Sequence, residues 1–439
     1  MSDREAKPRL FPWGAVTILT ALNILSYADR QLLSLLAVPI QESLKIDDVA
    51  LGLLQGLAFS IVFTLSSIPV GWAVDHFNRA RIIHAGVTIW SAATMACGLS
   101  SSFWQLFAAR IGVGAGEAAL APSAYAILSE TTPKGRLASA MGIYAIGASI
   151  GIAFSLAAGG LLVAALATAD LDFPIIGKIE PWQAAFLMLG APGVLLAFTA
   201  YLLPRGSIRP PKTNEVAGGS LLAFVKQHKR AFFAQQIGFA MLGLSGYAIA
   251  GWAPAHLQRN FEWSPALIGP SLGVAIGLSG MVGTLVVGWL ADRAFSKGRR
   301  DAYFTTAIVT TAIGVPLIIA AFLASSGLAC VILLGAGYLF LCSFGGICSA
   351  ALQLMSPGHL RGRTSALYVF TLNILGLGLG PLIVGALTEH VFGDRMLVGY
   401  SVAVTVAVAG SISIACLLGG RRAYRDTISA VEAGSRSLL

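Results

Sequence analysis

Charge is what this chain has least of. Across 439 residues only 11% are Asp, Glu, Lys or Arg, where a soluble domain carries roughly 25%. Paired cysteines are missing too: Cys97, Cys330, Cys342, Cys348 and Cys416 are odd in number, lie in apolar stretches and form no CxxC. That excludes a disulfide framework and a cysteine zinc site. No HExxH occurs among the six histidines, so a zinc protease is excluded, and no cofactor is expected. What fills the chain instead is apolar: 56% of residues are hydrophobic and the mean hydropathy is +0.78. A bilayer-spanning helix needs about 20 such residues, and twelve of them leave no room for a large extramembrane domain.

Apolar runs of helical length fall at about 13–38, 50–74, 82–100, 103–128, 137–163, 182–203, 231–256, 265–290, 303–325, 328–353, 364–389 and 397–419. The fold expected is an all-α membrane protein of twelve transmembrane helices in two pseudo-symmetric six-helix bundles. No cleavable signal peptide is expected, since Arg4, Lys7 and Arg9 lead into a run too long for a signal segment. The net charge of +9 could suggest a nucleic-acid partner, but its placement gives it another meaning. With an inward N-terminus, 23 of the 29 basic residues lie in alternate loops and the two tails, and only Lys45, Lys178, Arg259 and Arg395 face outward. Cytoplasmic loops collect Lys and Arg, so both termini are expected inside and no nucleic acid is implied. The domains expected are a bundle over 1–203, a cytoplasmic linker over 204–230 with Pro204, Pro210 and Pro211, and a second bundle with its tail over 231–439.

The halves echo each other. Gly71-Trp72-Ala73-Val74-Asp75-His76 ends span two, and Gly288-Trp289-Leu290-Ala291-Asp292-Arg293 ends span eight, 217 residues later. Lys134-Gly135-Arg136 precedes span five as Arg361-Gly362-Arg363 precedes span eleven, at an offset of 227. Parallel six-helix repeats are a transporter architecture, with substrate near the midplane. Gly71-x-x-x-Asp75-x-Phe77-x-Arg79-x-Arg81, with its partial copy at Gly288-x-x-x-Asp292-Arg293, resembles the loop signature of the major facilitator superfamily, departing from it at His76 and Asn78. Ser26-Tyr27-Ala28-Asp29-Arg30 and Arg110-Ile111-Gly112-Val113-Gly114-Ala115-Gly116-Glu117-Ala118 further resemble the Spinster family. That resemblance implies export of lysolipids and sphingolipids, with bacterial members of unsettled substrate, while the span-five glycine-proline signature associated with antiporters is absent and leaves the direction open; a monomer in a bacterial inner membrane is expected. It also implies that Asp75 docks near the start of span eleven and Asp292 near the start of span five. Asp75, Arg79, Arg81, Arg136, Asp292 and Arg363 are then gating residues.

Only Asp29, Arg30, Arg110 and Glu117 are ionisable residues deep inside spans. A charge at the bilayer centre costs at least about 2.5 kcal/mol, which marks such residues as functional; a purely structural ion-pair cluster is the alternative. Arg110 and Glu117, seven apart, share a face about 10 Å along the axis, while Gly112 and Gly116 on the other side suit close helix packing. In span one Asn23, Tyr27, Arg30 and Ser34 share an arc and Asp29 points elsewhere, beside Ser26. Adjacent Asp29 and Arg30 therefore each need a partner on span four. Ionised, the four cancel, and protonating one carboxylate frees an arginine for an anion. Asp29 or Glu117 is expected to carry the proton, with Arg30 and Arg110 as anion contacts and sodium coupling as an alternative.

Spans seven to twelve carry no such charges except Glu389 at an extreme end, so the substrate expected is an amphiphile with an anionic head. Its tail would meet Tyr247, Trp252 and Phe344, with Asn373 as a lone polar contact, and Asn23 and Tyr27 would join the head site. The alternative is a small organic anion, sugar or drug. Gly112-Val113-Gly114-Ala115-Gly116 lies inside an apolar span without a preceding strand, so it is not a dinucleotide loop. Gly243-Leu244-Ser245-Gly246 and Gly277-Leu278-Ser279-Gly280 look like intramembrane protease motifs but have no mid-span histidine opposite them. The expectation is a transporter and not an enzyme, working by alternating access between membrane, substrate and protons.

Overall fold

The computed structural model describes residues 12–133, 136–166, 169, 172–173, 177–204 and 220–436. Twelve helical rods follow one another: α1 (Pro12–Leu35, then Ala37–Leu44), α2 (Asp48–Gln55, then Leu57–His76), α3 (Arg79–Gly98), α4 (Phe103–Glu117, then Leu120–Thr131), α5 (Leu137–Leu166) and α6 (Pro181–Ala197). A short helix, Leu221–Gln227, precedes α7 (Lys229–Phe261), α8 (Pro265–Leu272, continuing to Ser279–Ser296), α9 (Ala302–Phe322), α10 (Gly327–Leu341, then Phe344–Met355), α11 (Arg361–Thr371, continuing to Leu387–Phe392) and α12 (Val398–Arg436). Among the described residues, ten of these stretches are long and apolar enough to cross a membrane.

Local chemistry sets the starts and breaks. The Asn78 side chain accepts from the Ala80 N–H at 2.9 Å to start α3, and the Asp47 side chain accepts from the Ala50 N–H at 2.6 Å to start α2, each satisfying an amide that a helix N-terminus leaves open. The α4 region reads as one apolar run but is cut at Ala118 and Ala119. Pro122 supplies no N–H for the carbonyl four residues back, and the chain tightens there, with the Ala119 N–H on the Gly116 carbonyl at 3.2 Å. Three features depart from the sequence expectation: α12 stays helical to Arg436, well past 419; a pair of two-residue strands, β1 (Asp172–Phe173) with β2 (Gly177–Lys178), lies between α5 and α6; and α8 and α11 contain π-helical turns at Gly273–Leu278, Leu372–Gly378 and Leu387–Phe392. Most of the linker, including position 215, and Lys134 and Gly135 of the second echo lie outside the described residues.

The chain forms two compact units, Met1–Ile46 with Ala58–Thr213, and Asp47–Leu57 with Asn214–Leu439. In unit 1 a stripe of small residues on α5 meets α1: a Cβ at Gly151 would stand 2.5 Å from the Ile24 carbonyl oxygen, and the Ser155 hydroxyl donates to the Ala28 carbonyl at 2.6 Å. Small residues let membrane helices approach this closely. In unit 2 the same device joins α11 to the first turns of α2, where Cβ atoms at Gly52 and Gly56 would strike the Pro381 and Gly378 carbonyls at 2.8 and 2.4 Å. That fit explains why residues 47–57 group with the second unit although the chain on either side belongs to the first.

Candidate functional site

Unit 1 brings all four deep charges together. Asp29, Arg110 and Glu117 are almost completely buried and Arg30 is partly exposed. Arg30 reaches across from α1 to Glu117 on α4, with Nε and Nη2 on the same carboxylate oxygen at 2.7 and 2.6 Å. Arg110 faces Asp29, its Nη1 3.7 Å from Oδ1. Neighbours in sequence thus pair with different partners, as their 100° separation on α1 requires. Ser26 departs from its expected place beside Asp29: its hydroxyl donates to Glu117 Oε2 at 2.6 Å. Glu117 is the last residue before the α4 break, so its carboxylate sits where the helix tightens.

Around these pairs lie groups that the sequence did not flag. The Thr94 hydroxyl, from α3, contacts Asp29 Oδ2 and the Trp90 carbonyl. The Arg30 guanidinium lies 4.5 Å from the centre of Phe59, 4.9 Å from Phe63 and 5.0 Å from Tyr27, and Arg110 lies 5.4 Å from Phe59. Aromatic faces attract cations most where water is excluded, so these rings share in holding both charges. No signal in the sequence separates Phe59 and Thr94 from other apolar-span residues, because the contacts join three helices. Hydrogen-bonding capacity is left over: Asp29 Oδ1, Glu117 Oε1 and Arg110 Nε and Nη1 are buried without a hydrogen-bond partner among the described residues. At 3.7 Å Arg110 and Asp29 attract each other without a hydrogen bond. The glycines flanking the charges are packed, with Gly116 against Trp90 and Gly86 of α3, and Gly114 against the Phe59 carbonyl oxygen.

The other expected residues are scattered. Asn23 spends its side-chain N–H on the Tyr144 carbonyl at 2.8 Å, while Tyr27 stands half-buried beside Arg30. At the end of α2, Asp75 and Arg81 are exposed and Arg79 pairs with Glu130 at 2.5 Å, a partner the sequence did not suggest. Arg136 is exposed. In unit 2 Tyr247 and Phe344 are half-buried, and Asn373 is buried in a π-helical turn of α11. Trp252 requires a correction: it is wholly enclosed and its indole N–H donates to the Pro381 carbonyl at 2.9 Å, so it packs the core and offers nothing to a ligand. Asp292 accepts from the Tyr303 hydroxyl at 2.8 Å, and Arg363 is exposed. A second buried ion pair was not foreseen: Arg259 grips Asp48 with Nη1 and Nη2 at 3.0 and 2.6 Å. Asp48 reads as a helix-start residue and Arg259 as a loop charge, so only the fold joins them.

A helical membrane chain of two compact units, with the Asp29, Arg30, Arg110 and Glu117 cluster in one of them, fits the match of residues 19–381 to the Major Facilitator Superfamily profile. The chain belongs to that superfamily. It is therefore a secondary transporter with many membrane-spanning helices, and not an enzyme. Among curated relatives, an MFS-type efflux pump of Mycolicibacterium smegmatis is 29% identical, over 97% of this chain and 96% of its own. A D-galactonate transporter of Escherichia coli is 25% identical, covering 94% and 97%. Protein spinster homolog 3 of Mus musculus is 26% identical, covering 88% and 77%. Among solved structures, a bacterial homologue of the human lysosomal transporter Spinster, inward-facing and unoccupied, superimposes with a TM-score of 0.78 at 23% identity, covering 97% and 98% of the two chains. The Spinster resemblance read from spans one and four thus extends along the chain.

Proposed function

We propose that this transporter is proton-coupled through Asp29 and Glu117 and moves an amphiphile whose anionic head is held by Arg30 and Arg110. The observation that carries this is the pairing inside unit 1, where each carboxylate neutralises one arginine of the other helix. Protonating either carboxylate releases one guanidinium, and a buried guanidinium without a counter-charge is costly, so an anionic head becomes the favoured partner. Arg110 already has N–H groups free to donate. Losing the proton restores the internal pair and expels the anion, which is the alternation that coupled transport needs. The Spinster-like relative supports a lipid-like substrate, while the D-galactonate transporter favours a second reading, a small organic anion. Tyr247, Phe344 and Asn373 remain proposed tail contacts. Asp75, Arg79, Arg81, Arg136, Asp292 and Arg363 remain proposed gating residues, and a bacterial inner membrane with both termini cytoplasmic remains the proposed setting of a monomer.

The test is reconstitution into liposomes with an imposed pH gradient. Asp29→Asn, Glu117→Gln and Arg110→Ala are each expected to abolish gradient-driven transport while the protein stays monodisperse. Wild-type pH dependence in all three would make the cluster structural, and dependence on a sodium gradient instead would replace the proton. Competition by one anionic head group on tails of increasing length separates the substrate classes. An amphiphile gains about 0.8 kcal/mol, roughly fourfold, per buried methylene, whereas a flat series selects the organic anion.

A further inference from the structure

One face of α12 changes character along its length. Val404, Val408, Ile412 and Leu418 are all exposed, in the manner of side chains that meet lipid. Arg422 and Arg425 follow, also exposed. At about 100° per residue Leu418, Arg422 and Arg425 fall within about 60° of one another, so the apolar wall runs straight into the two guanidinium groups. Between α12 and the start of α9 lies a cavity of about 480 Å³ lined by Asp301, Leu418, Gly419, Arg421, Arg422 and Arg425. Its floor is open at Gly419, where nothing stands within 4 Å of the position a Cβ would take.

The charges in this cavity are unequal. Arg421 is bound to Asp301 through Nε. Burial works to raise the Asp301 carboxyl, but the hydrogen bond and charge of Arg421, with Arg299 beyond, outweigh it and hold the group below its ordinary value. Asp301 is thus a committed anion that occupies Arg421 alone. Arg422 and Arg425 make no ion pair among the described residues, and three arginines face one carboxylate in the lining. Beside the cavity, Arg300 ties the start of α9 to α12 through Ser429 at 3.0 Å and Glu432 at 2.7 Å, which fixes the far wall.

We propose that this cavity is a site for the head-group phosphate of an anionic membrane phospholipid, bound by Arg422 and Arg425, with an acyl chain along Leu418 and the exposed face of α12. Guanidinium groups pair well with phosphate oxygens, and basic pockets at the membrane boundary attract anionic lipid. A soluble anion would account for the arginines but leave the adjoining apolar wall without a role. The site lies wholly in unit 2 and shares no residue with the Arg30 and Arg110 cluster, so it is separate from substrate binding.

Native mass spectrometry of the full-length protein in mixed micelles tests this, with phosphatidylglycerol as probe and phosphatidylcholine as control. The wild type is expected to retain one phosphatidylglycerol in preference to phosphatidylcholine. Arg422→Ala with Arg425→Ala should weaken that retention by about tenfold or more. Gly419→Leu, which fills the open floor without changing charge, should weaken it as well, and Arg110→Ala should leave it intact. Retention unchanged in both the double variant and Gly419→Leu overturns the proposal. An equal loss in the charge-matched Lys226→Ala with Lys297→Ala overturns it too, since binding would then be mere attraction to positive charge. Full displacement by millimolar inorganic phosphate assigns the cavity to a soluble anion and overturns the lipid.

Discussion

Arg30 pairs with Glu117 at one edge while its flat face lies among Phe59, Phe63 and Tyr27. A lysine would keep the charge and lose the planar contact, so Arg30→Lys is expected to weaken binding of the transported anion by about tenfold, the value of a cation–π contact of roughly 1.4 kcal/mol. Titration against the purified protein measures it. Arg259→Ala strands the buried Asp48 carboxylate, and the expected loss is about 3–5 kcal/mol of stability, whereas removing both charges together should cost less; thermal melts of the single and double variants decide between them. Asp301 gives a pH signature. Its carboxyl is held below the ordinary 3.8, so its contribution is fully present above that pH and disappears as pH falls through the lower folded value. The difference in melting temperature between wild type and Asp301→Asn should be constant above pH 3.8 and shrink below it.

Helices in this chain are placed by what they lack. On α5 the small residues facing α1 leave no room for a side chain, so Gly151→Leu should force the pair apart and lower stability by about 1–3 kcal/mol. Gly142 on the same helix has nothing within 4 Å of its Cβ position, and Gly142→Ala should be neutral or stabilising by up to about 1 kcal/mol; paired melting curves of the two variants make the comparison. Long apolar runs made all twelve rods legible in the sequence, and Pro122 carried the information for the α4 break. The C-terminal end of α12 was not legible, because the apolar run stops near Leu418 while the helix continues on charged residues. The four deep charges stood out for the same reason the rods did, since a charge in an apolar run is rare. Their neighbours Thr94 and Phe59 did not, because only packing between α1, α2, α3 and α4 gives them their positions.

At the scale of the whole molecule, the distribution of basic residues sets an expected orientation. Single cysteines at positions 215 and 430 should stay unreactive to an impermeant thiol reagent applied outside intact cells; labelling of either would reverse the map. The echo between the ends of α2 and α8 was readable because it is a repeat in the chain itself. The grouping of residues 47–57 with unit 2 was not, since it depends on glycines at 52 and 56 meeting carbonyl oxygens more than 300 residues away. The unbroken α12 has a practical corollary. From Arg421 to Arg436 it runs on as one helix for about 22 Å at 1.5 Å per residue, beyond the point where its exposed face turns from apolar to basic. A fluorophore fused past that end would ride on one continuous helix that Arg300 holds to the start of α9 through Ser429 and Glu432, so its reorientation would read how far α12 and α9 tilt together during a transport cycle.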